Sequence, residues 1–205
     1  DAELVELVTE DGSEAMTRRS DGWWTAGHPT GDYRFSVNGG QARPDPRSPH
    51  QPEGVSGPSR AVDHGAFRWT DDRCLGRALP GAVIYELHVG TFTPTGTFEG
   101  VIDRLPHLVE LGVDFIELMP VAEFPGDRGW GYDGVLLFAP HHVYGGPDGL
   151  KRLVDAAHGA GIGVILDVVY NHLGPAGNHL AEFGPYFTDR HLTAWGDAVN
   201  FDGRG

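Results

Sequence analysis

The pattern of apolar and polar positions changes period near residue 80. Before it, short alternating runs predict β-strands. These are LVELV at 4–8, a turn and further strand beginning at DGWW (21–24), and DYRFSVNGG (32–40), whose alternation ends at an Asn-Gly turn. The segment 41–60 loses all periodicity and turns rich in Pro, Ser, Gly and Gln, which predicts a long loop or linker packed on the surface. After residue 80, apolar runs alternate with helical spacing. AVIYELHVGTF (82–92) predicts a buried strand with a polar end. Apolar residues at 98, 101, 102, 105, 108, 109 and 111 predict a helix that Gly112 ends, despite Pro106 inside it. VDFIELMPV (113–121) predicts a second strand, and a long Gly/Pro/aromatic loop then runs to about Pro147. GLKRLVDAAHGAG (149–161) predicts a second helix and GVILDVVYNH (163–172) a third strand. That last run is apolar except for Asp167 until its tail at Asn171 and His172, as suits a strand buried on both faces.

Strand–helix–strand–helix–strand implies right-handed parallel crossovers. A closed (β/α)₈ barrel takes about 250 residues, more than this chain of 205. The expected architecture is therefore a small all-β sandwich followed by the first part, about three βα units, of an α/β TIM (β/α)₈ barrel; a small open sheet is the alternative. The sandwich, immunoglobulin-like, and its linker take 1–60, and the barrel start takes 61–205. Residues 173–205 predict a long active-site loop without helix or further strand, its continuation missing. No internal repeat is evident.

Composition narrows the function classes. The formal charge is −14, from 15 basic and 29 acidic residues. Nucleic acid is disfavoured because phosphate binding needs a concentrated basic surface, and anionic membranes are disfavoured likewise. Neutral sugars remain compatible. No run approaches a membrane span, and no basic-then-apolar leader opens the chain, so with the single cysteine Cys74 a cytoplasmic location is expected. The chain begins at Asp1 with its first Met at 16, which reads as a fragment or a processed product.

Two stretches carry candidate chemistry. Barrel active sites lie where strands end, so Asp167, Asn171 and His172 fall where such a site is expected. Asp167 could equally satisfy buried donors, and His172 could be a satisfied loop histidine. In EFPGDRGWGYDGVLLFAP (123–140), Trp130, Tyr132 and Asp133 stand among glycines, and flat aromatic faces suit a pyranose ring. The plainer reading has Trp130 and Tyr132 packing the loop onto the barrel. His141, His142 and His158 show no compact spacing with Cys or Asp that supports a metal. GGPDG (145–149) lacks the Gly-Lys-Ser/Thr ending of a phosphate loop and reads as entry to a capped helix. Trp23-Trp24 reads as packing for the β domain or as a separate sugar contact.

YELHVGTFTPTGTF (85–98), ELMPVAEFPGDRGWGYDGVLLFAPHHVYGGPDGLKRLVD (117–155), VILDVVYNHLGPAGN (164–178) and WGDAVNFDG (195–203) resemble the malto-oligosyltrehalose trehalohydrolases of the α-amylase superfamily of glycoside hydrolases. Residues 32–59 are similar to that family's N-terminal β-sandwich and linker. The resemblance implies that Tyr132 stacks on the glucose whose bond is cut and that Trp130 and Asp133 help bind substrate. It implies that His172 bonds a hydroxyl of the same sugar, and that Asp167 and Asn171 support the site. Some relatives use an asparagine at the position of Asn171 for calcium, but one oxygen ligand makes no calcium site; no metal and no cofactor are expected. The paired carboxyl groups that cleave a glycosidic bond are expected beyond Gly205; Glu86, Glu117, Glu123, Asp127 and Asp133 match none of them. The implied substrate is maltooligosyltrehalose or a related α-glucan, and the chain alone is expected to be inactive. A glucan-branching or debranching enzyme is the nearest alternative, and a non-catalytic glucan-binding module is an alternative of another class.

Overall fold

The computed structural model describes residues 2–72, 74 and 76–203. In the N-terminal sheet, β1 (Val5–Thr9) pairs antiparallel with β2 (Gly12–Ala15) on one side and with β5 (Asp32–Val37) on the other, and β6 (Ser59–Arg60) adds to β5. Two short strands, β3 (Thr17–Arg18) and β4 (Trp24–Thr25), form a separate ribbon. The period of two holds: Val5, Leu7 and Tyr33 are buried while their neighbours face outward. Asn38 and Gly39 both have positive φ (52° and 72°), and the Gly40 N–H donates to Val37 O at 2.9 Å. This tight turn sends the chain back so that Arg43 bridges Phe35.

The segment 41–58 is irregular and largely at the surface as expected, but it is anchored by buried residues. Gln51 is fully buried; its Oε1 accepts from the hydroxyls of Ser48 (2.7 Å) and Ser59 (2.9 Å), and its Nε2 donates to Gly54 O (3.2 Å). A loop that satisfies its own polar groups in this way can be covered without penalty. Val55 then packs with Val135, Leu136 and Ala139.

Three parallel strands follow: β7 (Ile84–Leu87), β8 (Phe115–Leu118) and, after the intervening elements, Gly163–Leu166. They lie in the order third–second–first, so each adds beside its predecessor. Beyond Leu87 the expected strand instead coils into α1 (Val89–Phe92). The expected helix 98–111 is two helices, α2 (Phe98–Ile102) and α3 (Leu105–Leu111). Pro106 has no N–H and its ring clashes one turn back, so it fits only the first turn of a new helix. Gly112, at φ 81°, closes α3 as expected.

The long loop after β8 contains an antiparallel ribbon, β9 (Ala122–Glu123) with β10 (Leu136–Pro140). Strand pairing between 80 and 172 is therefore not wholly parallel, although the barrel strands themselves are. A 3₁₀ turn at His142–Tyr144 leads into α4 (Gly146–Gly159), which has no side-chain cap; Gly145, in the left-handed region, precedes it. The third barrel strand, now β11, ends at Leu166; among the described residues it pairs with β8 alone, and Leu166 is 46% exposed. Residues 173–203, expected to lack regular structure, hold a 3₁₀ turn at Leu180–Glu182 and a hairpin of β12 (Phe187–Thr193) and β13 (Gly196–Val199), closed through Gly196 at φ 108°.

The main core lies between the parallel strands and the helices. Phe98, Val101, Leu108, Ile116, Leu118 and Leu153 are all fully buried there. Each such side chain contributes about 1.5–3 kcal/mol relative to exposure, which makes this sheet–helix layer the platform for the loops at its end. Among the described residues no helix is long and apolar enough to cross a membrane.

Candidate functional site at the C-terminal strand ends

Strand register sets the site. Leu87, Leu118 and Leu166 are aligned neighbours, so His88, Met119 and Asp167 follow in one row at the C-terminal mouth. Two bonds continue the ladder past the strands: Met119 N–H to Leu87 O and Asp167 N–H to Leu118 O, each 3.0 Å. Asp167 is half-buried and, with Gly131, Pro120 and Tyr170, lines a cleft of about 130 Å³.

The aromatic loop is held over this mouth by glycines that admit no side chain. A β-carbon on Gly131 (φ 89°) would lie 2.0 Å from Pro120 O, and one on Gly129 would lie 2.8 Å from the Phe124 ring. Between them stands Trp130, 71% exposed, its ring parallel to His88 at a centroid distance of 6.3 Å. Tyr132 is 44% exposed, and Asp133 is exposed too. Neither aromatic is packed away into the barrel, the alternative reading of the sequence; both remain exposed.

His88, which sequence reasoning passed over, is the post under this loop. Its Nε2 lies 2.8 Å from Gly129 O and its Nδ1 lies 3.0 Å from Thr91 Oγ1. A carbonyl only accepts, so Nε2 carries the proton and Nδ1 accepts from the threonine. Tyr144 also donates to Gly129 O, at 3.4 Å. Burial, then the nearby Glu123 carboxylate, pushes its hydroxyl pKa up to about 12, so it remains a donor at neutral pH.

The loop after β11 joins the aromatic loop directly. Gly174 N–H donates to Gly134 O at 3.2 Å, and a β-carbon on Gly174 would stand 2.3 Å from Asp133 O. Asn171 is exposed. His172 is half-buried; its Nδ1 finds no hydrogen-bond partner among the described residues, and its ring stacks on Trp195 at 4.4 Å and 11°. The arrangement therefore gathers Tyr132, Asp133, Asp167 and His172 around two linked loops, with Trp130 to the His88 side. Exposed aromatic faces beside polar tips are suited to a neutral, ring-shaped, hydroxylated ligand.

Sequence reasoning also missed Trp195, brought to His172 by the β12–β13 hairpin. It likewise missed the grouping of Glu123, His141 and His142, whose ligating atoms lie within 4.8 Å of one another. No local spacing signals that cluster, because antiparallel pairing of β9 with β10 creates it. His158 is engaged elsewhere, by Asp71 at 2.7 Å.

Residues 56–185 match the alpha-amylase family, described as alpha amylase, catalytic domain. The chain is similar to a malto-oligosyltrehalose trehalohydrolase of Arthrobacter ramosus, 51% identical over 98% of this chain and 36% of that protein. A 1,4-alpha-glucan branching enzyme of Vibrio parahaemolyticus is 38% identical over 77% of this chain and 23% of its own length. Among solved structures, that of an alpha-amylase candidate from Salmonella typhimurium superposes with a TM-score of 0.92 at 47% identity, covering 98% of this chain and 35% of the other. The chain thus spans about a third of the length of the relatives it matches.

Proposed function

The chain belongs to the α-amylase family of glycoside hydrolases, and from that premise we propose that it is the N-terminal part of an enzyme that hydrolyses the α-1,4-glucosidic bond next to the terminal trehalose of maltooligosyltrehalose, releasing trehalose. The observation that carries this choice is the likeness to trehalohydrolases, which exceeds that to the branching enzyme in both identity and span. The linked loops support it. The open face of Tyr132 suits stacking on the glucose at the cleavage point, and the half-buried imidazole of His172, on the loop tied to the aromatic loop, is the group we assign to a hydroxyl of that sugar. Trp130 and Asp133 border the same site, while Asp167 and Asn171 orient groups at its floor.

No cofactor enters this reading. The paired carboxyl groups that a retaining glycosidase needs, about 5–5.5 Å apart, come from the rest of the barrel, so the 205 residues alone have no turnover. Residues 1–60 form the β domain with its linker and 61–205 the opening of the barrel. The exposed free Cys74 fits a reducing cytoplasm.

Product analysis tests the proposal. Given maltooligosyltrehalose and amylose in parallel, the protein containing this chain should release free trehalose from the first. New α-1,6 branches in the second, with no trehalose from the first, would assign it to the branching enzymes instead.

A further inference from the structure

We propose that Glu123, His141 and His142 form a binding site for a divalent cation of the zinc class, bracing the ribbon that carries the aromatic loop. The proposal rests on none of the sugar chemistry. Glu123 Oε1 lies 2.8 Å from His142 Nδ1 and 3.1 Å from His141 Nδ1. Zinc takes imidazole nitrogen and carboxylate oxygen at about 2.0–2.2 Å in a tetrahedron, which sets neighbouring ligand atoms about 3.4 Å apart. To receive the ion, the two carboxylate–imidazole edges must open by a few tenths of an ångström, and the widest separation in the cluster, up to 4.8 Å, must close by about 1.4 Å.

The second observation is the state of His141. Its side chain is fully buried, and neither ring nitrogen makes a hydrogen bond with any described residue. Its contact with Glu123 has the distance but not the direction of one. A buried imidazole must carry at least one N–H or a lone pair that seeks a partner. A cation on the Glu123 side satisfies Nδ1 and leaves Nε2 its proton. The donor set selects the metal: two imidazoles favour zinc, cobalt or nickel over calcium or magnesium, which prefer oxygen.

The surroundings fit a site with three protein ligands. Glu123 Oε2 accepts the His142 backbone N–H at 2.8 Å, which fixes the carboxylate as an outer-shell bond does in metal sites. His142 is the partly exposed member, at 23%, so the ion enters on its side and water completes the tetrahedron there. Glu123 sits on β9 and His141 directly follows β10, so the ion ties both legs of the ribbon. The His141 ring stacks on Phe124 at 3.8 Å, and Phe124 is the residue against which Gly129 packs. The brace thus reaches the base of the loop that presents Trp130 and Tyr132.

The test is a titration of the chelator-treated protein with Co²⁺, followed by displacement with Zn²⁺. One equivalent of Co²⁺ should give the visible absorption of a tetrahedral site, and Zn²⁺ should abolish it. His142→Ala, at the exposed rim, should weaken binding by more than about tenfold, a loss that even an outer-shell change causes. His158→Ala, remote from the cluster, should leave it unchanged. Glu123→Gln should act like His142→Ala; should it fail to fold, His142→Ala decides alone. Absence of a tetrahedral cobalt spectrum in the unsubstituted protein, or equal affinity in His142→Ala, would overturn the site and leave His141 as a histidine satisfied by buried water.

Discussion

The imidazole of His172 lies flat on the indole of Trp195, with ring centroids 4.4 Å apart and planes within 11°. The two residues are 23 positions apart, and the hairpin β12–β13 brings them together. The stack holds the plane of the His172 imidazole. Aromatic pairs of this kind contribute about 0.5–1.5 kcal/mol. Trp195→Ala in the complete enzyme should therefore lower kcat/KM roughly two- to tenfold, and Trp195→Phe should recover much of the loss. Equal kinetics for the wild type and Trp195→Ala would show that the stack does not position His172.

Tyr132 and His172 themselves should matter more. Tyr132→Ala removes a stacking face, and His172→Ala a polar contact that strengthens as charge develops. Each should lower kcat/KM on maltooligosyltrehalose by at least about tenfold, or roughly 1.4 kcal/mol, while thermal unfolding shifts little. Unchanged kinetics in both variants would mean that the site lies elsewhere.

Gly131 and Gly126 make a controlled pair in one loop. Both have positive φ, 89° and 79°. A β-carbon on Gly126 meets nothing within 4 Å, whereas one on Gly131 meets Pro120 O at 2.0 Å. Gly126→Ala should cost only the conformational penalty, about 1 kcal/mol. Gly131→Ala must also move backbone, so its cost should be clearly larger, and substrate affinity should fall with it. Denaturant unfolding of the two variants measures the difference; equal costs would show that the loop does not rest on Pro120.

Much of this fold is legible in the sequence because period and burial agree. The order of the three parallel strands, Gly112 as helix terminator and the Asn38-Gly39 turn all follow from local rules. The errors come from non-local causes. Position 106 reads as helical by its apolar neighbours, yet the missing proline N–H splits the helix. The ribbon β9–β10 is too short to stand out in a loop rich in Gly and aromatics. Site residues at strand ends and beside glycines are visible because those positions are special in any barrel. His88, Trp195 and the Glu123 cluster are not, since each acquires its role from a residue distant along the chain.

Asp32 and Arg60 join β5 to β6 by a two-pronged pair at 2.6 and 2.9 Å. The Arg60 hydrogen bond holds the Asp32 carboxyl below its ordinary 3.8. A lowered carboxylate pKa gives stability that is present above pH 3.8 and lost as pH falls through the folded-state value. Both groups are substantially exposed, so Arg60→Ala should cost at most about 1 kcal/mol at neutral pH. The difference from wild type should shrink as Asp32 becomes protonated. Denaturation curves at several pH values test this; a difference that persists unchanged at pH 2 would contradict the pairing.

The central claim is that this chain opens an enzyme that cuts beside trehalose. The most direct measurement is a time course on maltotriosyltrehalose with the protein that contains these 205 residues, resolving every sugar product by chromatography. The account predicts free trehalose and maltotriose in equal amounts, appearing together from the first time point, and no trehalose from the 205 residues alone. Glucose or maltose released without trehalose, or transfer of the chain onto another glucan, would contradict it.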